Sequence, residues 1–432
     1  MVMSKHRSIS IFTLSLLIII TALPEYAKAT NGMNMIGYGA VSSGMGGADL
    51  ALVDNVTAMN INPAGLTGCC NTQLSAGLSL MQSHNQHQDT HGNDLRAKKQ
   101  VFPIPLLAWA QPLNNPSFIM GFGFFAQGGM GVEYNHFRVP FADFTDMKNE
   151  HDTISSDVRY MKLTPTLAWL SEGGSLRLGV SINLGYAETE MSLFPHTSIK
   201  ENQFFGIKME GCEAYSAAFR VGFQYKYGDL TVGGAYLSAT DHQFDNGNSK
   251  INYTAIGQGI ERYDSELEGF NWPQQIGLGL SYHITPKLRI ALDIDWINWS
   301  DAINTITFKL AQGNNPGIPE HIIMSYPMHW NNQLVYAFGL EYDISSIWSI
   351  RAGYNYAKNP VPAQHLLPYF PAIAEHHITG GFSYAAQKWS IDFACEWALE
   401  NSEFSNNSLY CSHGFSEEMS QVTTHFMLNY RI

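Results

Sequence analysis

From Thr72 to the C-terminus, apolar residues recur at every second position. In Leu288 to Trp296 (LRIALDIDW), Leu288, Ile290, Leu292, Ile294 and Trp296 share one face, with Arg289, Ala291, Asp293 and Asp295 on the other. Trp389 to Glu400 sets Trp389, Ile391, Phe393, Cys395, Trp397 and Leu399 against Ser390, Asp392, Glu396 and Glu400. Gln333 to Tyr342 does the same with Leu334, Tyr336, Phe338, Leu340 and Tyr342. A period of two belongs to extended strands, whose successive side chains point to opposite faces. These runs reach ten to fifteen residues. A globular strand averages about five or six residues, whereas about 9–11 tilted residues cross a bilayer. Trp389 and Trp397 are eight residues apart, roughly 20 Å of height at a ~40° tilt, close to the ~25 Å apolar band between aromatic girdles.

The pattern predicts fourteen strands: Thr72–Ser83, Val101–Gln111, Ser117–Gln127, Asp157–Leu170, Leu176–Glu190, Glu213–Tyr227, Leu230–Gln243, Pro273–Ile284, Lys287–Trp299, Asn332–Ile344, Trp348–Ala357, His377–Ala386, Lys388–Asn401 and Gln421–Ile432. Short turns (LNNPS, SEGGS, KYGD, ITP) alternate with long loops such as Phe244 to Trp272. That alternation, over amphipathic strands of this length, predicts an all-β fold: a transmembrane antiparallel β-barrel with turns on the periplasmic side and loops outside. The chain ends on Ile432, with Tyr430 as the nearest outward aromatic, where such barrels usually end on an aromatic residue.

The N-terminus reads differently. Lys5, His6 and Arg7 precede an apolar run from Ile9 to Leu23, and Ala27-Lys28-Ala29 is an A-x-A cleavage signal. Residues 1–29 are therefore expected to be a cleaved signal peptide. Without them the chain carries 21 basic and 36 acidic residues, a net charge of −15, which argues against a nucleic-acid partner. Five cysteines are too few for a disulfide scaffold at this length. Cys395 and Cys411 flank one loop and could pair. Leu66-Thr67-Gly68-Cys69 mimics a lipoprotein site but lacks an apolar run directly before it. Asn55 to Gly68 (NVTAMNINPAGLTG), after the glycine-rich Ser42 to Gly47, has neither helical nor strand rhythm.

Three blocks resemble the FadL/TodX (OMPP1) family of outer-membrane transporters for long-chain fatty acids and other hydrophobic molecules. They are Ser42 to Leu66 (SSGMGGADLALVDNVTAMNINPAGL), Trp272 to Ser300 and Ile350 to Tyr384. The resemblance implies a fourteen-stranded barrel over residues 72–432, with residues 30–71 as a hatch inside the lumen. It assigns gating to Asn62, Pro63 and Ala64, with Gly44, Gly46 and Gly47 before them. It implies passive uptake: capture by the outer loops, binding near the hatch, and sideways release through a gap at a kinked third strand. The expected partners are a hydrophobic small molecule and the outer-membrane bilayer of a Gram-negative cell, with the protein a monomer. No cofactor is expected, and no GxxxxGK[ST] suggests ATP use.

Individual residues sharpen this reading. In Ser117 to Gly131 (SFIMGFGFFAQGGMG), Gly128, Gly129 and Gly131 interrupt the third strand, as a bulge or kink would, or as a strand ending in a loop. Phe194, Phe204, Phe205 and Ile207 form an apolar loop cluster that either captures substrate or packs on neighbouring loops. His84, His87, Asp89 and His91 have metal-ligand spacing, but a His-rich outer loop is ordinarily just solvated, so no metal is expected. Lumen-facing acids such as Asp293, Asp295, Asp392, Glu396 and Glu400 suit a barrel interior better than catalysis. The alternatives are an outer-membrane lipid hydrolase, for which no GxSxG is present, and a general porin or adhesin, which would need no plug.

Overall fold

The structure, a computed structural model, describes residues 31–140, 151–406 and 413–432. The expected signal peptide therefore lies outside the described residues, as does Cys411, the expected partner of Cys395. Fourteen strands form the barrel: β1 (Gln73–Asp89), β2 (Val101–Pro112), β3 (Phe118–Arg138), β4 (His151–Leu170), β5 (Leu176–Ile199), β6 (Phe204–Tyr227), β7 (Leu230–Leu237), β8 (Gln275–Thr285), β9 (Leu288–Ile297), β10 (Gln333–Ser345), β11 (Trp348–Ala357), β12 (His376–Ala385), β13 (Trp389–Ser405) and β14 (Phe415–Arg431). Every neighbouring pair is antiparallel. The wall closes where β14 returns to β1, with Gln73 opposite Arg431 and Asp89 opposite Phe415. Closure of β14 on β1 leaves no free edge at the ends of the sheet. On the periplasmic side the turns are tight: Gly228 and Asp229 alone join β6 to β7, and Gly228 takes the left-handed φ of 60° that such a turn needs.

The wall is inverted relative to a soluble protein. Leu278, Ile294 and Leu334 are more than half exposed on the outer face, while Ser181, Asn183, Asp293 and Asn429 are buried toward the lumen. Apolar side chains outside meet acyl chains, and the inward polar ones find partners inside. Among the described residues no helix is long and apolar enough to cross a membrane; the crossing is made by strands.

Two expectations change. Phe244 to Trp272, expected as one loop, contains the strands Phe244–Asn252 and Ile260–Glu268. With Thr305–Ala311 and Ile322–Pro327 they extend the outer part of β6 into a side sheet, pairing Met209 with Ser249, Asp264 with Ala311 and Thr305 with Pro327. Their buried face holds Phe244, Tyr263, Leu267, Ile306 and Phe308, which cover the barrel mouth. β7 ends at Leu237 rather than Gln243, because the chain turns away and Thr240 instead bridges Trp272 through reciprocal backbone hydrogen bonds of 2.9 and 3.0 Å.

The segment before β1 lies inside the wall. It contains a helical turn, Ala40–Gly44, and two 3-10 turns, Val56–Asn60 and Pro63–Gly68. Val56, Ala58, Met59 and Leu66 are buried against Leu106, Ala108 and Ala110 of β2, Ile119 of β3 and Ala168 of β4. Small inward residues on the wall leave room for the larger ones of this plug.

Candidate functional site

The wall parts between β2 and β3. These strands pair only from Leu106 opposite Phe125 to Pro112 opposite Ile119. Beyond that, Val101 to Pro105 stays with β1, and β3 from Ala126 outward has its ladder with β4, until the Lys98 N–H, just before β2, donates to the Glu133 carbonyl at 2.8 Å. Pro103 and Pro105 lie on the freed stretch of β2. A proline has no N–H to give a ladder and is tolerated at a strand edge. The sequence reading passed over them, although Pro-Ile-Pro in a barrel strand is a signal for an unpaired edge.

At the parting, β3 bulges: its register with β4 shifts between Ala126 and Gly128, leaving Gln127 extra. An inserted residue bends a strand and raises its local twist. Gln127 turns inward and is buried. Its Nε2 donates to Tyr38 Oη at 2.5 Å and to Asn34 Oδ1 at 3.4 Å, while Tyr38 Oη donates to the Gln127 carbonyl at 3.0 Å. Gly128 bridges Asn34, and a Cβ there would meet the Met33 carbonyl at 2.1 Å. A Cβ on Gly129 would meet the Val158 carbonyl at 2.2 Å, and one on Gly131 the Phe102 ring at 2.7 Å. All three glycines singled out on β3 therefore stand at close approaches around the bulge.

Behind the parting is a cavity of about 590 Å³. Met33 and Met35 of the plug line it together with Met81, Phe102, Met130, Tyr160, Met161 and Met419 of the wall. Methionines adapt to ligands of different shape. Arg159 also borders the cavity, but its Nε lies 2.8 Å from Asp157 Oδ1 and its Nη1 4.0 Å from Glu188 Oε2. A second, smaller apolar cleft sits under the side sheet, lined by Met191, Met209, Phe270, Phe308, Met328 and Phe370. A column of rings joins the two: Tyr160 to Trp272 (4.8 Å between centroids), Trp272 to Trp299 (6.3 Å), Trp299 to Trp330 (5.2 Å) and Trp330 to Phe370 (5.7 Å). Trp299 was expected to end the strand Lys287–Trp299, but that strand stops at Ile297; none of the three tryptophans was given a role in the site from sequence.

The plug is anchored by side chains that serve its backbone. Asn62 Oδ1 accepts from Ala64 N–H at 3.2 Å and caps the 3-10 turn that Pro63 opens; its Nδ2 donates to the carbonyls of Leu50 at 2.7 Å and Phe223 at 2.9 Å. Pro63 and Ala64 press against Gly179, where a Cβ would come within 2.2 Å of the Pro63 carbonyl carbon. Gly46 and Gly47 both take left-handed φ, 68° and 79°, and Gly47 abuts the Ile36 carbonyl. Gly44 ends the helical turn with ordinary contacts to Ala394 and Arg351. Asp293 Oδ2 accepts from the N–H groups of Asp49 at 2.6 Å and Leu50 at 2.8 Å. Burial pushes the Asp49 carboxyl up to about 7, although the hydrogen bond from Ser42 and the Arg220 charge pull it down.

The other expected residues are placed as follows. Phe194 is buried against Phe137 and Phe204, and Ile207 is buried beside Met209; Phe205 stacks at 4.7 Å on Tyr253. His87 is fully buried between Glu417, which also accepts from Tyr134 Oη at 3.0 Å, and Asp89 at 3.2 Å. That ring ties β1 to β14 under the outer loops.

The sequence model of the outer membrane protein transport protein (OMPP1/FadL/TodX) family matches residues 26–431. The toluene transporter TodX of Pseudomonas putida superposes with a TM-score of 0.76 at 18% identity, over 92% of this chain and 99% of that one. The toluene transporter TbuX of Ralstonia pickettii gives 0.71 at 22% identity, over 92% and 99%. A Pseudomonas aeruginosa FadL homologue gives 0.72 at 16% identity, over 93% and 99%. No curated protein sequence matches. The described barrel and the match along nearly the whole chain agree: the chain belongs to the outer membrane protein transport (OMPP1/FadL/TodX) family, whose members carry hydrophobic compounds across the Gram-negative outer membrane.

Proposed function

We propose that this chain takes up hydrophobic molecules passively and releases them sideways. Substrate enters the apolar cleft under the side sheet, passes along the ring column to the methionine-lined cavity, and leaves between β2 and β3 into the membrane. The observation that carries this reading is the large apolar cavity directly behind unpaired strand edges. Each CH₂ exposed to water costs about 0.8 kcal/mol, so a lateral exit keeps the apolar body out of water throughout. Residues 31–71 act as the hatch that blocks aqueous leakage, with Asn62, Pro63 and Ala64 at its firmest contact with the wall. The protein works as a single chain, without cofactor or catalytic step.

Uncharged hydrocarbons fit the cavity well, because Arg159 at its border is already engaged by acids. TodX and TbuX, described as toluene transporters, favour the same class. Long-chain fatty acids are the second reading. It is favoured by Arg220, buried inside the lumen, whose guanidinium Nε has no hydrogen-bond partner among the described residues and offers a positive setting for a carboxylate. Uptake of labelled toluene and of labelled oleate, by cells with and without the protein, tests both. Uptake of neither would reject the reading, and large steady ion currents through the purified protein would replace it with a porin.

A further inference from the structure

The loops that wall the upper cleft also bring two histidines together. His329 follows Met328, and His365 stands just before the Leu367–Phe370 stretch; Met328, Leu367 and Phe370 all line the cleft. The two imidazole centroids are 4.8 Å apart, with the rings at 79°. His329 Nδ1 lies 2.7 Å from Asn304 Oδ1. An amide oxygen only accepts, so Nδ1 carries the proton and Nε2 keeps its lone pair. The His365 ring meets the Pro327 carbonyl on one side and packs edge-on against His329 on the other.

The backbone is arranged for the same end. His329 holds a left-handed φ of 45°, uncommon for a residue with a side chain. Its N–H and that of Met328 both donate to the Asn304 carbonyl, at 2.9 and 2.8 Å. One asparagine thus fixes both the main chain and the ring. Metal-binding imidazoles are typically oriented in this way, with the second nitrogen bonded to a carbonyl or carboxylate. Two imidazoles sharing an ion at about 2.0–2.1 Å, near a tetrahedral angle, have centroids about 5 Å apart.

We propose that His329 and His365 together bind one divalent transition-metal ion of the zinc class and so staple the two loops that wall the upper cleft. Nitrogen ligands select such an ion over magnesium or calcium. Among the described residues no group of three or more His, Cys, Asp or Glu is placed to hold a metal, so water supplies the remaining ligands and the ion exchanges readily. Its effect on uptake rests on the proposed route through that cleft, but its binding does not.

The test is calorimetric titration of Zn²⁺ into the purified full-length protein in detergent. The wild type is expected to show one site that His329→Ala or His365→Ala weakens at least tenfold and that the double variant lacks. Asn304→Ala, which keeps both ligands, should weaken binding about 10–100-fold. Cu²⁺ paramagnetic resonance should report two nitrogens in the wild type and one in each single variant. Heat-modifiable gel mobility checks that each variant still forms its barrel. Identical Zn²⁺ titrations of wild type and double variant would overturn the site and reduce the pair to ring packing. Zinc binding with no change in uptake would leave the site standing and count against the route through the cleft.

Discussion

Asn62 occupies the space that a side chain at position 222 would need: a Cβ built on Gly222 lies 2.1 Å from Asn62 Oδ1. The plug's capping asparagine is therefore seated on a gap in the wall of β6. Gly222→Ala should expel Asn62 and cost its bonds to Leu50 and Phe223. Asn62→Ala should remove the same bonds, about 1–3 kcal/mol of local stability where the partner carbonyls stay buried. Both variants should raise ion leakage in planar bilayers while gel mobility still reports a folded barrel. Leakage at the wild-type level in both would mean that this contact does not hold the plug.

Asp293 holds the plug by accepting hydrogen bonds from two consecutive N–H groups. Asp293→Ala leaves both donors buried without their acceptor, and each buried donor left unsatisfied costs about 1–3 kcal/mol. Faster proteolysis of the 31–71 segment is expected, with the barrel resistant as before. Unchanged cleavage kinetics would count against the anchor.

Asp49 makes the plug pH-sensitive. Burial raises its pKa to about 7 from the ordinary aspartate value of 3.8, so the folded state binds the proton more tightly than an exposed chain does. The stability this contributes is fully present below about pH 4 and is lost as pH rises through about 7. Bilayer leakage should therefore increase between pH 6 and 8, and Asp49→Asn should flatten the rise. A profile identical in the two proteins would refute the assignment.

Deleting Gln127 removes the bulge and lets β3 continue in register. The proposed exit should then close, and uptake should fall by an order of magnitude or more. Met130→Trp tests the same route by filling the cavity while leaving the bulge in place. Full uptake by both variants would exclude release between β2 and β3.

The barrel was legible because lipid outside and polar groups inside impose a period of two, and Leu292, Ile294, Asp293 and Asp295 carry it plainly. The break in the pattern before β1 was legible from the absence of any period around Asn62 and Pro63. The strands Phe244–Asn252 and Ile260–Glu268 were not, because they are short and their covered face depends on partners far along the chain. Nor was the parting of β2 from β3. Glycines mark a place where a strand can bend, but which neighbour loses its ladder is decided by register. Trp272, Trp299 and Trp330 become a column only once three separate loops fold over the same mouth.

β5 and β6 each run for 24 residues. At about 3.3 Å per residue and a ~40° tilt they rise roughly 60 Å, against an apolar band of ~25 Å. The side sheet joins β6 at Ile207 to Glu213 and so stands roughly 10–25 Å above the apolar band, in the outside water. On the proposed lateral route, reach of that kind would make the protein a wick. It would touch the outside water where the solute is dissolved and drain at the depth where the solute prefers to be, so partitioning alone would set the direction of flow.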